Sequence, residues 1–447
     1  MSESDKKKNS PPAHIEKRSR VPAMLRALRH RNFQLFFSGQ LISLIGTWMD
    51  NIAEAWLVYR LTGSSLLLGT VAFAGQIPVF LLAPLGGMAA DRWNRRKIVI
   101  ATQALSMVQA GILAALTLSH RVTVWEVIVL AASMGAVNAF DIPARQAFLV
   151  EMVGREDLMN AIALNSSMFN GARVIGPAVA GILVASIGEG WCFFANSVSY
   201  IAVITGLLLM HVEPLRRAIS NESPFEHIAE GFRFVHRSGP IRALMMLIGI
   251  VSFVAVPYSV LMPIFADRIL HGGARGLGIL MGAAGTGALL GALTLAARRG
   301  VQGLGRVVAY AAAGFGFSLI LFSFSRWFWL SVALLIPVGY GVMLQMSSSN
   351  TLIQAMVPDH LRGRAMAVYT MMFMGMAPMG ALFAGAMADR VGAPMTVTIG
   401  GLAAIIGAAC FYRMLPKLRF EARELLSAQG LAGGEPVDRV TAGALLK

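Results

Sequence analysis

Charge is scarce in this chain. Asp, Glu, Lys and Arg make up 14% of its 447 residues, against about 25% in a soluble globular protein. Hydrophobic residues reach 56%, and mean hydropathy is +0.64. That balance excludes a water-soluble fold and points to a polytopic membrane protein. Cysteine is scarcer still. Cys192 and Cys410 fall within apolar runs and are expected to lie near opposite membrane faces. A disulfide needs Cα atoms within about 7 Å, so two free thiols are expected.

Other absences narrow the function. No Gly-x-x-x-x-Gly-Lys-Ser/Thr loop is present, which argues against ATP as a driver. The eight histidines have no metal-ligand spacing, so no metal is expected. No cluster of catalytic side chains stands out, so an enzyme is not expected. The net charge of +15 comes without aromatic–basic clusters or zinc spacings, which argues against a nucleic-acid partner. The first twenty residues are polar and basic and lack the apolar core of a signal peptide.

What is present is a series of apolar runs, each near the roughly 20 residues that a spanning helix needs. Twelve are expected, at about 34–59, 66–90, 98–118, 123–147, 158–186, 191–212, 243–266, 276–297, 306–325, 327–348, 363–387 and 393–414. The fold class expected is an all-α polytopic membrane protein of twelve transmembrane helices in two parallel six-helix pseudo-repeats. The organisation expected is a cytoplasmic tail at 1–32, a six-helix half at 33–212, a linker at 213–242, a second half at 243–414 and a cytoplasmic tail at 415–447. In the linker, Phe225, Ile228, Ala229, Phe232 and Val235 recur at helical spacing. They suggest an amphipathic helix on the membrane surface. Pro257 and Pro263 are expected to interrupt the seventh run.

Lysine orients the chain. Lys6, Lys7, Lys8, Lys17, Lys97, Lys417 and Lys447 all fall on one side of a twelve-span layout. Basic residues collect in cytoplasmic loops, so both termini are expected to be cytoplasmic.

The pseudo-repeat rests on an ungapped offset of 204 positions. At that offset Met152 lies over Met356, Phe169 over Phe373, Gly171 over Gly375, Gly176 over Gly380, Gly181 over Gly385 and Gly188 over Gly392. The runs involved are six apart and cross the membrane in the same sense, as in transporters built from parallel repeats.

Four places carry charge into or beside these runs. The first is "GGMAADRWNRRK", which joins runs two and three. Gly87 is expected to let a neighbouring helix approach. Asp91 can face another helix's positive N-terminus or pair with arginine, and Arg92, Arg95 and Arg96 are expected to hold the turn at the surface. The second is "NGARVIGPAVAG" in run five. Pro177 is expected to bend it, and Gly171, Gly176 and Gly181 to form a packing face. Arg173 falls near the bilayer midplane, where a charge is costly. It is either a substrate or coupling contact or half of a structural ion pair. The third is the pair Asp50 and Glu54 in run one, four apart and so on one helix face. Close carboxylates do not ionise together cheaply, which suits proton coupling. Asp50 is the favoured coupling residue, and Glu54 is either a partner in that role or a solvated interface charge. The fourth is Asp141 and Arg145 in run four, an i,i+4 pair read first as structural. "GAMADRVG" at Gly385–Gly392 repeats the Gly-x-x-x-Asp-Arg spacing. It does not obey the repeat offset, under which Asp91 meets Leu295 and Arg95 meets Arg299, so Asp389 and Arg390 are expected to form a solvated external turn.

The loop at Gly87–Lys97 resembles the signature of the major facilitator superfamily, Gly-x-x-x-Asp-Arg-x-Gly-Arg-Arg, with Asn94 in place of its glycine. Asn is the residue that replaces glycine most readily in a left-handed turn. The resemblance implies a gate that stabilises the state closed to the cytoplasm, with Asp91 and the arginines as its parts. The run-five segment is similar to the glycine–proline signature of antiporters and exporters. The stretches around Asp141 and Arg173 and the "LTGSS" turn are similar to the transmembrane secretion effectors, the subgroup that contains the enterobactin exporter and the macrolide efflux proteins of bacteria. That resemblance covers about residues 25–415.

These readings lead to a secondary active transporter in a bacterial inner membrane, with no cofactor and a proton gradient as its energy source. It is expected to act as a monomer in the bilayer and to export a small amphipathic organic molecule such as a drug, macrolide or siderophore. Two alternatives stand beside it. One is a lysophospholipid flippase of the same fold. The other is a non-transporting sensor or scaffold, which would need a folded soluble domain.

Overall fold

A computed structural model describes residues 23–211, 224–298 and 300–428. The expectations placed on the first tail, part of the linker, Arg299 and the end of the second tail lie outside those residues. After a 3-10 stretch at Ala23–Arg29, the chain forms helices throughout. The first set is α1 (Arg31–Thr62), α2 (Ser65–Arg92), α3 (Arg95–Leu118), α4 (Val124–Val153), α5 (Leu158–Ile187) and α6 (Glu189–Leu209). The linker helix α7 (Pro224–Arg237) follows. The second set is α8 (Gly239–Ile269), α9 (Gly273–Ala296), α10 (Leu304–Phe324), α11 (Phe328–Met356), α12 (Asp359–Val391) and α13 (Ala393–Ala428).

Local chemistry fixes the short connections. Gly63 ends α1 with φ +61°, a left-handed cap that glycine takes without strain. The next residue, Ser64, caps α2 by accepting from Leu67 N at 3.3 Å. Thr123 and Glu126 make a reciprocal capping box at the start of α4. Asn94 caps α3, accepting from Lys97 N at 3.1 Å with φ −67°. The left-handed turn expected at Asn94 is therefore absent, and the residue suits its site because its amide oxygen terminates a helix.

Among the described residues, eleven helices are long and apolar enough to cross a membrane. α1 is not one of these eleven, although its 32 residues exceed the bilayer requirement. Gln34, Ser38, Gln40, Ser43, Thr47, Asp50, Asn51 and Glu54 dilute its hydropathy. Near its prolines, α8 is irregular, with wide π turns at Val251–Ala255 and Phe265–Ile269 and a tight 3-10 stretch at Val256–Leu261. α13 continues through Pro416 to Ala428, past the boundary expected at 414.

The two sets pack alike. α2 lies on α4, α1 on α5 and α6, and α3 on α4 and α6. In the second set α9 lies on α11, α8 on α12 and α13, and α10 on α11 and α13. The sets meet through α2 against α12 and α5 against α9. α7 is docked on α12. Gly231 lies against the Arg364 carbonyl, Glu230 pairs with Arg364, and Val235 is buried while Phe232 stays exposed. The helix expected to lie on the membrane is thus held partly by the bundle, and the side chains of Phe225 and Ile228 lie outside the description.

Candidate functional site

The polar groups inside the first set form two clusters. In the first, α1 carries Asp50 against α6. Asp50 is 6% exposed, and its Oδ1 has no hydrogen-bond partner among the described residues. Asn196 of α6 faces it, without closing a hydrogen bond of good geometry. Asn196 is fully buried, with its Oδ1 beside Gly46 and its backbone carbonyl accepting from Ser199 Oγ at 2.7 Å. Glu54 lies one turn along α1, half-buried and close enough to repel Asp50. Neither carboxylate has a basic partner among the described residues. A buried acid without a cation keeps its charge only at considerable cost.

The second cluster centres on Asp141 of α4. Arg145 reaches its Oδ2 at 2.9 Å, so the i,i+4 ion pair is present. Thr102 Oγ1 and Gln103 Nε2 donate to its Oδ1 at 2.8 and 3.1 Å. Sequence reading missed these two partners. A signal existed: Thr102, Gln103, Ser106 and Gln109 recur at helical spacing on α3, and all are at most 6% exposed. A polar stripe inside an apolar helix marks a face turned from lipid.

At the interface of the two sets stands Arg173. Its guanidinium lies over the Trp48 ring at 5.6 Å, a cation–π contact. Trp48 in turn meets the edge of Phe169 at 5.6 Å. Tyr258, from the irregular part of α8, lies close to Arg173 across the interface. No carboxylate pairs with Arg173 among the described residues, so the structural ion pair left open for it is not formed. The glycines of run five divide. Gly176 packs against Ile45 and Trp48 of α1, and Gly181 against Gly278 of α9. Gly171 faces open space, so a packing role expected there is not realised. Pro177 is buried within a continuous α5.

In the α2–α3 loop the expected parts separate. Arg95 is 14% exposed and binds Glu151 of α4 at 3.1 Å, together with the carbonyls of Ala147 and Ala90 at 2.9 and 3.1 Å. Arg96 donates to the Leu207 and Leu208 carbonyls at the end of α6, at 2.8 and 2.9 Å. Both arginines therefore staple α3 to its neighbours within one set. Asp91 has a side chain 79% exposed, 3.8 Å from Arg95, and Arg92 is exposed. The glycine that admits a neighbour is Gly86, pressed on the Ala139 carbonyl of α4, whereas Gly87 has nothing within 4 Å of where a side chain would begin. One residue is about 100° of helix, so the spacing alone did not choose between them. Arg95→Ala removes one member of a buried ion pair with Glu151, a change that costs up to about 3–5 kcal/mol. Arg95→Ala is expected to lower the unfolding midpoint in detergent markedly, measured by tryptophan fluorescence, while Arg92→Ala leaves it within a degree or so of wild type.

At the opposite end, where α1 turns into α2, the two sets are bound together. Tyr59 OH donates to Asp267 Oδ2 at 2.7 Å. Arg268 donates to the Gly63 carbonyl at 3.1 Å and lies over the Tyr59 ring at 5.6 Å. Asp389 of α12 accepts from Ser65 N at 2.9 Å, Leu66 N at 3.3 Å and Ser64 Oγ at 3.3 Å. Asp389 and Arg390 are exposed, as expected, and the Asp389 carboxylate is in addition a helix cap between the two sets. Beneath it Gly69 meets Ala381 and Gly385, and Gly181 meets Gly278.

An all-helical bundle with eleven helices long and apolar enough to cross a membrane among the described residues, and polar side chains buried between them, is the architecture of a multi-pass membrane protein. The family model for transmembrane secretion effectors, a branch of the major facilitator superfamily, matches residues 23–435, and the chain belongs to that family. It is 25% identical to the staphyloferrin A transporter of Staphylococcus aureus, over 87% of this chain and 98% of that protein. It is 27% identical to the multidrug efflux pump Tap of Mycolicibacterium fortuitum, over 84% and 93% of the two chains. The crystal structure of the nucleoside transporter NupG superposes with a TM-score of 0.67 at 14% identity, covering 88% of this chain and 99% of that one, a likeness of fold.

Proposed function

We propose that this protein is a proton-coupled exporter of an amphipathic organic molecule, working by alternating access of two six-helix halves. Twelve spans are counted when α1 is included, since Gln40, Ser43 and Asp50 are buried within the bundle and its length exceeds the bilayer core. The matched packing of the two helix sets supports the parallel pseudo-repeat. The lysine distribution supports cytoplasmic termini, which makes the α2–α3 end the inner one. The bonds at the α1–α2 end then hold the outer side closed. The observation that carries the coupling is the burial of Asp50 without a cation, beside Glu54. Arg173, Trp48, Phe169 and Tyr258 line the meeting of the halves and supply a cation and aromatic faces to cargo. Relatives named for siderophore transport and multidrug efflux support a drug-like or siderophore-like cargo.

Reconstitution in vesicles with an imposed pH gradient tests the reading. A panel of macrolides, cationic drugs and siderophores is expected to yield at least one cargo that accumulates against its gradient and leaks back when a protonophore is added. Flux of that cargo indifferent to the protonophore would remove proton coupling.

A further inference from the structure

The two Gly-x-x-x-Asp-Arg strings occupy opposite ends of one helix pair. α2 and α12 run antiparallel, because Gly69 early in α2 meets Gly385 late in α12, while Phe80 further along α2 meets Gly375 earlier in α12. Asp91 therefore ends α2 at the end where α12 begins, and Asp389 ends α12 at the end where α2 begins. The first turn of α2 contains no acidic residue of its own. Its N–H groups at Ser65 and Leu66 and the Ser64 hydroxyl are instead met by the carboxylate of Asp389, from the other half of the molecule. A helix start presents unpaired N–H donors and a partial positive charge, and an anion placed there is stabilised. A cap supplied by the same half would move with α2. A cap supplied by the opposite half is present only while the halves are together.

We propose that Asp389 is a positioning residue for the transport cycle, a latch whose capping of α2 stabilises closure at the α1–α2 end and is given up each time that end opens. Asp91 ends α2 at the other end of the same helix pair, where α12 begins with Asp359. The sequence repeat does not produce this arrangement, since the strings do not lie at its offset; the antiparallel contact does. The Tyr59–Asp267 and Arg268–Gly63 bonds lie at the same end and open with it. The proposal rests on the alternating-access reading above, but its measurement needs neither cargo nor a pH gradient.

The test uses the full chain with both native cysteines replaced by serine. Spin labels at Arg121→Cys and Trp327→Cys, exposed positions at the α1–α2 end of each half, report their separation by double electron–electron resonance. Asp389→Ala is expected to lower the ratio of short-distance to long-distance population about fivefold, the size of a lost helix cap, and Asp389→Glu to restore part of it. Ser65→Pro gives an independent route. Ser65 is the first residue of α2, where proline is accepted, and the extended Ser64 before it suits a following proline. This change removes the donor of the 2.9 Å bond and keeps Asp389, and it is expected to shift the population the same way. Unchanged distance populations in both Asp389→Ala and Ser65→Pro, in protein that keeps its wild-type unfolding midpoint, would overturn the latch. Loss of the short-distance state in both, with Asp389→Glu no better than Asp389→Ala, would also overturn it, since packing alone would then explain the effect. If wild type shows one fixed separation in every condition, it is the alternating-access reading that fails.

Discussion

Asp50→Asn is expected to abolish uphill cargo movement while leaving downhill exchange largely intact. The reasoning starts from burial. Asp50 sits 6% exposed between α1 and α6, faced by an amide and a repelling carboxylate and by no cation among the described residues. Proton exchange at an acid held this way requires that water reach it, which opening of one end or the other provides. Asparagine imitates the protonated form in shape and polarity and cannot release a proton. The halves then still rock and still carry cargo, but each cycle is no longer tied to a proton. A pH difference of one unit provides about 1.4 kcal/mol per proton, enough for about a tenfold cargo ratio in one-for-one exchange. In vesicles with that gradient the wild-type ratio is expected to approach this value and the variant ratio to stay near one. Counterflow without a gradient, measured with labelled cargo, is expected to differ by no more than about threefold, as for a polar replacement of similar volume. Glu54→Gln distinguishes the roles left open for that residue. A solvated charge leaves the gradient-driven ratio unchanged, whereas a shared coupling site lowers it. An undiminished ratio in Asp50→Asn would move the proton site elsewhere, with the Asp141 cluster next in line.

How much of this was legible in the sequence depended on the range of the information. Helix positions followed from apolar run length, and most run boundaries agree with the helices within a few residues. The family followed from short motifs whose residues are contiguous. The Asp50–Glu54 and Asp141–Arg145 pairings followed from helical spacing, which is local geometry. What failed needed a partner from elsewhere in the chain. Gly86 and Gly87 are equally small, and only the position of α4 shows that Gly86 is the close contact. Arg95 read as a surface residue until Glu151, 56 positions away, took it inward. The capping role of the exposed Asp389 was not legible because its donors, Ser65 and Leu66, lie more than three hundred positions earlier. Asn94 was judged by the glycine it replaces in the family pattern, although Asn-x-x before a helix is also a cap. The interior is more than apolar helices with isolated charges. The polar face of α3 and the amide of Asn196 form the surroundings that give Asp50 and Asp141 their properties.

Enlarging the glycine contact between α5 and α9 is expected to drive the molecule out of its present state. At Gly278 a side chain would begin 2.6 Å from Gly181 Cα and 2.5 Å from the Pro177 carbonyl, and at Gly181 it would begin 2.9 Å from Gly278 Cα. The obstacles are backbone atoms in both directions, so no rotamer change relieves them. Backbone approach of this kind is what small residues permit in membrane helices. Gly278→Leu therefore forces α5 and α9 apart, and because these helices belong to different halves the strain falls on the closed state alone. Overpacking of this kind costs about 1–3 kcal/mol, which corresponds to a shift of about 5- to 150-fold between two states. The Arg121–Trp327 label pair is expected to report a predominantly long separation in Gly278→Leu. Gly278→Ala lies between it and wild type. Transport by Gly278→Leu is expected to be nearly lost in either mode, uphill or exchange, because the cycle cannot return through the state closed at the α1–α2 end. That pattern differs from Asp50→Asn, which spares exchange. Gly171→Leu is the control. Gly171 lies on the same helix with nothing within 4 Å of its side-chain position, and its label distances are expected to match wild type. A normal short separation in Gly278→Leu would mean that the α5–α9 contact does not govern closure, and the burden of holding that end would fall to α2 and α12.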